Sequence, residues 1–397
     1  MDALQRDWGA SGLADLTGWA SGRADFSRAA VLGHARATAD GLHRRLGVAV
    51  DAAEILSGRA ALLGLARRGR VSAGGASHLI AACDGWCALT LSRPDDVHAV
   101  PALVESDGPE DDPWPAVERW ASRRTAAEVA ARARLLGLPA AVLDETVAAA
   151  PDARRTGPAT TPRDPSELLV VDLSSMWAGP LCGQLLHRAG ATVVKVESKA
   201  RPDGTRGGTP AFFDWMNGGK LCCEADFDDN RRLGDLLAAA DVGIESSRPA
   251  ALRHRRLGAG DVAARDGRVW MRISGHGADG ERANWPAFGD DAAVAGGLVG
   301  RSAEGPVFCG DAIADPLTGM QAALCVAESL ARGGGEVIDV AMAAVAATYA
   351  SLAVGPTDGK CLPAPPEPPT PQTPAAALGA DNDHVERLIA ERRLAPC

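Results

Sequence analysis

Leu168-Leu169-Val170-Val171-Asp172-Leu173, followed by Ser174-Ser175-Met176-Trp177-Ala178-Gly179-Pro180, is the stretch whose reading decides the fold. The apolar run suits a strand buried on both faces of a parallel sheet. Proline is tolerated in the first turn of a helix, where its missing N–H has no partner to lose. Ala178-Gly179-Pro180 therefore opens a helix that runs to Gly190. Thr192 to Glu197 reads as the next strand, Leu233 to Ala240 as a helix, and Val242 to Glu245 and Val269 to Ser274 as two more strands. This alternation predicts an α/β fold: a Rossmann-like, doubly wound, mostly parallel sheet with a second, smaller α+β domain.

Two proline-bearing stretches mark the edges of that region. One spans residues 151–166 and contains Gly157-Pro158-Ala159-Thr160-Thr161-Pro162. The other spans residues 356–375 and carries Pro363, Pro365, Pro366, Pro368, Pro369, Pro371 and Pro374. Both read as extended linkers. They divide the chain into a helical segment (1–65), a small-domain-like region (66–150), a large domain (167–355) and a tail (376–397) packed on the large domain. In the N-terminal half, Ala29 to Leu46 and Ala60 to Arg67 read as helical. Gly85 to Leu91 reads as a short strand, and Arg93-Pro94 as a helix start. Thr125 to Leu136 reads as a helix with Thr125 as N-cap, Glu128 in capping-box position and Gly137 as its stop.

Composition narrows the function. A formal charge of −10 argues against a nucleic-acid partner, whose footprint is a basic patch. No run of about 18 apolar residues is present, so no membrane span is expected. Nine cysteines occur without a CxxC pair, and the adjacent Cys222 and Cys223 suit neither tetrahedral zinc nor an ordinary disulfide. An odd count with no secretory signal fits a reducing cytoplasm. No metal site is expected.

Ligands of such sheets bind at the carboxyl ends of the strands. The first such turn, Ser174 to Pro180, lacks G-x-G-x-x-G, which disfavours a nicotinamide dehydrogenase. Its small residues permit close backbone approach, and the helix start attracts an anion. Taken alone, the same turn serves equally as a tight connection with no ligand.

Read in order, six blocks resemble the family III CoA transferases, which include formyl-CoA and carnitine CoA transferases and α-methylacyl-CoA racemases. The blocks are Val170 to Ser174 with Trp177 to Pro180, Arg188 to Glu197, Asn217 to Lys220, Ala240 to Pro249, Ile273 to Gly277, and Ala314 to Met320. Asp84 to Leu91, Arg124 to Glu128 and Gly137 to Ala141 resemble that family's small domain. In this chain they precede the large domain, a permuted-like order. Residues 1 to about 65 match no part of the family pattern.

The resemblance implies that Asp315 is the nucleophile. Its carboxylate attacks the thioester of an acyl-CoA, giving a mixed anhydride and then an aspartyl-CoA thioester. CoA and acyl-CoA are then substrates, with no tightly bound cofactor, and a small carboxylic acid is the acceptor. By position, Trp177 and Ala178 line the pantetheine end. Glu197, Lys220, Ser246 and Arg248 border the nucleotide, and Arg256 meets a phosphate. Ser246-Ser247 and Leu221 depart from the family pattern at this site. Gly296-Gly297 is one candidate for oxyanion donors. The racemase branch places a histidine where this chain has Asp290, which favours transfer over racemisation. An acyl-CoA racemase or isomerase and a non-catalytic acyl-CoA-binding protein are the alternatives. The resemblance also implies a homodimer.

Overall fold

The computed structural model describes residues 2–106, 108, 111–370 and 373–394. Twelve strands are formed among them: β1 (Ser77–Ala81), β2 (Trp86–Thr90), β3 (Ala140–Val142), β4 (Asp152–Arg155), β5 (Leu169–Asp172), β6 (Thr192–Glu197), β7 (Leu221–Glu224), β8 (Val242–Glu245), β9 (Val269–Ser274), β10 (Gly300–Ser302), β11 (Gly305–Val307) and β12 (Glu336–Ala341).

Seven of them make one sheet in the order β4-β12-β9-β8-β5-β6-β7, parallel throughout except for β4, which runs antiparallel to β12. The α/β, doubly wound architecture read from the sequence is the one observed. Alternate residues of its strands feed two cores. Val170, Val193, Val242, Ile244, Met271 and Ile338 face one, and Leu169, Val171, Val194, Val196, Trp270 and Val337 the other. Each such buried apolar side chain contributes roughly 1.5–3 kcal/mol relative to an exposed one. With helices over both faces, no polar face is left, which is why the strands read as continuous apolar runs.

Chain order reverses beside β5. From there the chain moves to β6 and β7 on one side, then returns to β8, β9 and β12 on the other. The carboxyl ends of β5 and β8 therefore flank the switch point, where a crevice opens in this topology.

The linker expected over 151–166 needs correction. Residues 152–155 form the edge strand β4, with Ala153 opposite Ile338. Asp-Ala-Arg-Arg has little strand preference and all four residues are exposed. The free edge of β12 supplies the pairing instead, a tertiary override of local propensity.

Residues 77–142 hold an antiparallel sheet β1-β2-β3 covered by short helices, with Ile80, Leu89, Val117, Trp120 and Val129 in its core. The Thr125 capping box is present. The Glu128 N–H donates to Thr125 Oγ1 (3.2 Å), and the Thr125 N–H donates to Glu128 Oε2 (2.8 Å). The N-terminal helices Ala30–Leu46 and Ala52–Leu63 belong to the large core, where Leu32, Leu42, Ile55 and Leu56 join Val170, Leu181 and Leu317. The second of these helices starts eight residues before the expected Ala60 and stops at Gly64, whose φ of 64° is left-handed. Near the tail, Val385 and Ile389 of the Asn382–Leu394 helix enter the second core. No helix among the described residues is long and apolar enough to cross a membrane.

Candidate active site

The turn that follows β5 is held by buried ion pairs. The Lys220 ammonium donates to Asp172 Oδ2 (2.9 Å), to the Pro180 carbonyl (2.8 Å) and to Asn217 Oδ1 (3.1 Å). Lys195 pairs with Asp203 (2.8 Å) and also donates to the Ser174 carbonyl. Asp172 and Asp203 in turn accept the N–H groups of Ser174 and Met176. Burial alone pushes the Asp172 carboxyl up, but Lys220 and Lys195 outweigh it and hold the group below the usual carboxylate range. The network pins both ends of residues 174–177 and carries Met176 in left-handed backbone (φ 75°). It thereby aims the first turn of the Ala178–Arg188 helix at one point.

Asp315 stands at that point. The helix Ala314–Ala331 begins one residue before it, so Asp315 lies inside its first turn. The side chain is half-buried and faces the backbone N–H groups of Ala178 and Gly289. Each of these begins a helix, Ala178–Arg188 and Gly289–Ala295. Helix N-termini carry partial positive charge and orphan donors, so the pair forms an anion cradle. Gly289 is required there: a Cβ on it would lie 2.5 Å from Asp315 Oδ2 and 2.2 Å from the Ala312 carbonyl oxygen. Ala312 itself sits at φ 42°, strained for a residue with a side chain.

Three further carboxyls lie on the neighbouring segments, and the charge of one of them, Asp290, acts on Asp315. Asp290 accepts from the Ala312 N–H (3.0 Å) and the Ser77 hydroxyl (3.2 Å). Asp291 accepts from Thr90 Oγ1 (3.0 Å) and the Phe288 N–H (3.0 Å). Asp311 binds Arg59, whose Nη1 lies 2.7 Å from both carboxylate oxygens. Burial pushes Asp315 and Asp291 up to about 7 and Asp290 up to about 6. The Arg59 charge opposes that rise at Asp290, Asp311 and Asp315 alike.

Arg59 comes from the segment of the sequence that matched no family pattern. The signal was present: it is the sole basic residue of the otherwise mostly apolar helix Ala52–Leu63. The guanidinium lies over the rings of Trp177 (5.4 Å) and Phe212 (5.5 Å). Buried Trp177 and Ala178, read as lining the pantetheine end, are thus in contact with the machinery around Asp315.

The residues read as bordering the nucleotide separate into two groups. Ser246 Oγ accepts the Ser175 N–H (3.3 Å) across the switch-point crevice, and Arg248 and Arg256 are exposed to solvent. Lys220 and Glu197 differ from that expectation. Lys220 is consumed by Asp172, and Glu197 is 3% exposed and held in a fork by Arg206 (2.7–3.0 Å). Both act on the shape of the turns and present no free face to a nucleotide. Gly296-Gly297 also differs from its expected role. A Cβ on Gly296 would meet the Ala347 N (2.4 Å) and the Ala343 carbonyl oxygen (2.5 Å) of a neighbouring helix. Gly296 serves helix packing, and Gly297 turns the chain at φ 75°, at the far end of the Gly289–Ala295 helix, roughly 10 Å from Gly289 at 1.5 Å per residue. The donors that face Asp315 are Ala178 and Gly289 instead.

The model of CoA-transferase family III matches residues 166–373, more than half of the chain. The chain belongs to CoA-transferase family III. Among curated relatives, it is 28% identical over 197 residues to the succinyl-CoA–D-citramalate CoA-transferase of Chloroflexus aurantiacus, covering 45% of this chain and 49% of that one. It is 30% identical over 192 residues to the succinyl-CoA–L-malate CoA-transferase beta subunit of the same organism, covering 44% and 47%. It spans about half the length, or less, of the curated relatives it matches first. Among solved structures, it resembles a CaiB/BaiF family protein from Brucella suis with TM-score 0.44 and 28% identity, over 48% of this chain and 56% of that one. This family III chain carries all six motif blocks between residues 170 and 320, inside the matched span.

Proposed function

We propose that this chain moves CoA between an acyl-CoA thioester and a carboxylic acid, with Asp315 as the covalent nucleophile. The observation that carries this reading is a first-turn carboxylate aimed between the backbone N–H groups of two helix starts. A carboxylate oxygen of Asp315 attacks the thioester carbonyl. The C–S bond breaks, leaving an acyl-aspartyl anhydride and CoA thiolate. The thiolate attacks the aspartyl carbon, expels the donor acid as its carboxylate, and leaves an aspartyl-CoA thioester. The acceptor carboxylate runs these steps in reverse and departs as the new thioester. The Ala178 and Gly289 N–H groups, which hold the Asp315 carboxylate, are the donors at hand for the oxygen that takes the negative charge when the Asp315 carbon becomes tetrahedral.

The membership of the family and the names of its relatives support a short acyl-CoA and an acid such as succinate as first probes. Incubation with succinyl-CoA followed by hydroxylamine is expected to convert Asp315 to its hydroxamate, read by peptide mass spectrometry. The Asp315→Ala variant is expected to lose both the adduct and CoA exchange. Intact exchange in that variant rules the mechanism out.

A second reading rests on Asp290. Its carboxyl is raised to about 6 and acts on Asp315, so two carboxyls titrate near neutrality at one site. Two such groups suit removal and return of an α-proton in a racemase or isomerase. Deuterium entry at the α-carbon of an acyl-CoA without any acceptor acid distinguishes this from transfer.

A further inference from the structure

Residues 2–63 and 289–350 pass through the same series of elements. Each begins with a short helix, Asp2–Ala10 or Gly289–Ala295. Each follows it with a left-handed glycine before a leucine, Gly12-Leu13 (φ 81°) or Gly297-Leu298 (φ 75°). An antiparallel bridge comes next, Gly18 with Ala24 or Gly300 with Val307. A long helix follows, Ala30–Leu46 or Ala314–Ala331, entered through near-identical caps: Ala29 (φ −57°, ψ −26°) and Ile313 (φ −59°, ψ −26°). A left-handed glycine then turns the chain, Gly47 (φ 69°) or Gly335 (φ 73°). An extended stretch leads to the last helix, Ala52–Leu63 or Met342–Ala350.

The two units face each other. Their long helices cross where a Cβ on Gly41 would lie 3.2 Å from Leu324. Arg28 donates to the Val299, Gly297 and Ala350 carbonyls (2.7–2.9 Å), and Asp25 accepts the Arg301 N–H (2.8 Å). A repeated series of elements packed on its own counterpart is what two copies of one unit within a single chain would give. The copies are unequal in chemistry. Counting from each long-helix start, Val31 occupies the place of Asp315, so the first copy brings no nucleophile. It brings Arg59 instead.

Arg59 has donors left over. Its Nη1 is taken by Asp311, while Nε and Nη2 have no hydrogen-bond partner among the described residues. Its side chain is 24% exposed, so those donors reach solvent beside Asp315. A carboxylate entering this site meets Asp290, Asp311 and Asp315 and needs a cation there. Arg59 is the cation that acts on all three. The guanidinium edge matches a carboxylate in geometry, and the Trp177 and Phe212 faces fix its plane.

Resting on the transfer reading above, we propose that residues 2–63 are an internal copy of residues 289–350 and deliver Arg59 as the group that receives the acceptor acid's carboxylate at Asp315. Arg59 orients the incoming oxygen toward the aspartyl-CoA carbon and is not itself acylated.

The test uses the full chain with succinyl-CoA as donor and glutarate as acceptor. Assayed at pH 8.5, where Asp315 is ionised, Arg59→Met still loads Asp315 from succinyl-CoA alone, because the donor is held through CoA. The KM for glutarate rises about tenfold to a hundredfold, while that for succinyl-CoA stays within about threefold. Arg59→Lys recovers part of the loss. Arg59→Met combined with Asp311→Asn removes the orphaned buried charge and shows the same split in a folded chain, checked by circular dichroism. An unchanged glutarate KM, or equal loss for both substrates, overturns the proposal. If the parent chain never loads Asp315, the transfer reading falls. Equilibrium dialysis of labelled glutarate then decides Arg59: retention in the parent and loss in both Met variants supports its role, and equal retention overturns it.

Discussion

Under the proposed transfer, lowering the pH is expected to protonate the Asp315 nucleophile and stop the reaction. Asp315 is pushed by burial to about 7 from an ordinary 3.8, against the opposing charge of Arg59. The reactive species is the carboxylate. kcat/KM for the acyl-CoA is therefore level above pH 7 and falls about tenfold per pH unit below it. At pH 5 roughly one site in a hundred is competent, whereas an ordinary carboxyl would still be about nine-tenths ionised. Asp290, raised to about 6, raises Asp315 further by its charge. The two titrate as a pair, and the break in the profile belongs to the pair. Asp290→Asn removes that repulsion and moves the break to lower pH, while Arg59→Met removes the attraction and moves it higher. The assay is the rate of thioester absorbance loss between pH 5 and 8.5 at limiting acyl-CoA. A profile level down to pH 5, or a break that moves higher in Asp290→Asn or lower in Arg59→Met, refutes the reasoning.

Asp291, fully buried and raised to about 7, makes stability move the other way. Its folded value lies above its unfolded one, so its contribution is present at low pH and is lost as pH rises from about 4 through 7, on the order of 4 kcal/mol if fully expressed. The urea midpoint of the parent chain is expected to fall between pH 5 and pH 8, and Asp291→Asn to show a smaller fall; an unchanged slope excludes Asp291 as a source. Gly289→Ala places a methyl against the Ala312 carbonyl and Asp315. Activity is expected to drop about a hundredfold or more while circular dichroism stays native, since small misplacements of reacting groups cost that much. Activity equal to the parent's shows that Gly289 does not set the Asp315 geometry.

The sheet was legible because burial on both faces writes itself into composition. β6, β8 and β9 occupy the residues where Thr192 to Glu197, Val242 to Glu245 and Val269 to Ser274 were read as strands. β4 was not legible, because its pairing comes from the free edge of β12 and its own residues are exposed and mostly charged. Lys220 illustrates the same limit within the site. A lysine in a CoA-transferase motif reads as a phosphate ligand, but Asp172 is fully buried and demands a cation beside it. Neither residue names the other, since 48 positions separate them.

By itself, the sequence determined the alternation of strands and helices and the family through its ordered blocks, and it singled out Asp315 as the candidate nucleophile through the last of them. Those are properties of contiguous residues, set by burial pattern and local backbone demand. The tertiary structure alone decided the surroundings of Asp315. Arg59 lies 252 positions from its partner Asp311 and meets it only because two helical units fold face to face. The N–H groups of Ala178 and Gly289 converge on one carboxylate because buried ion pairs fix the turn after β5. A group's ionisation depends on what surrounds it in space, so the raised values of Asp290, Asp291 and Asp315 arise only once distant segments close over them.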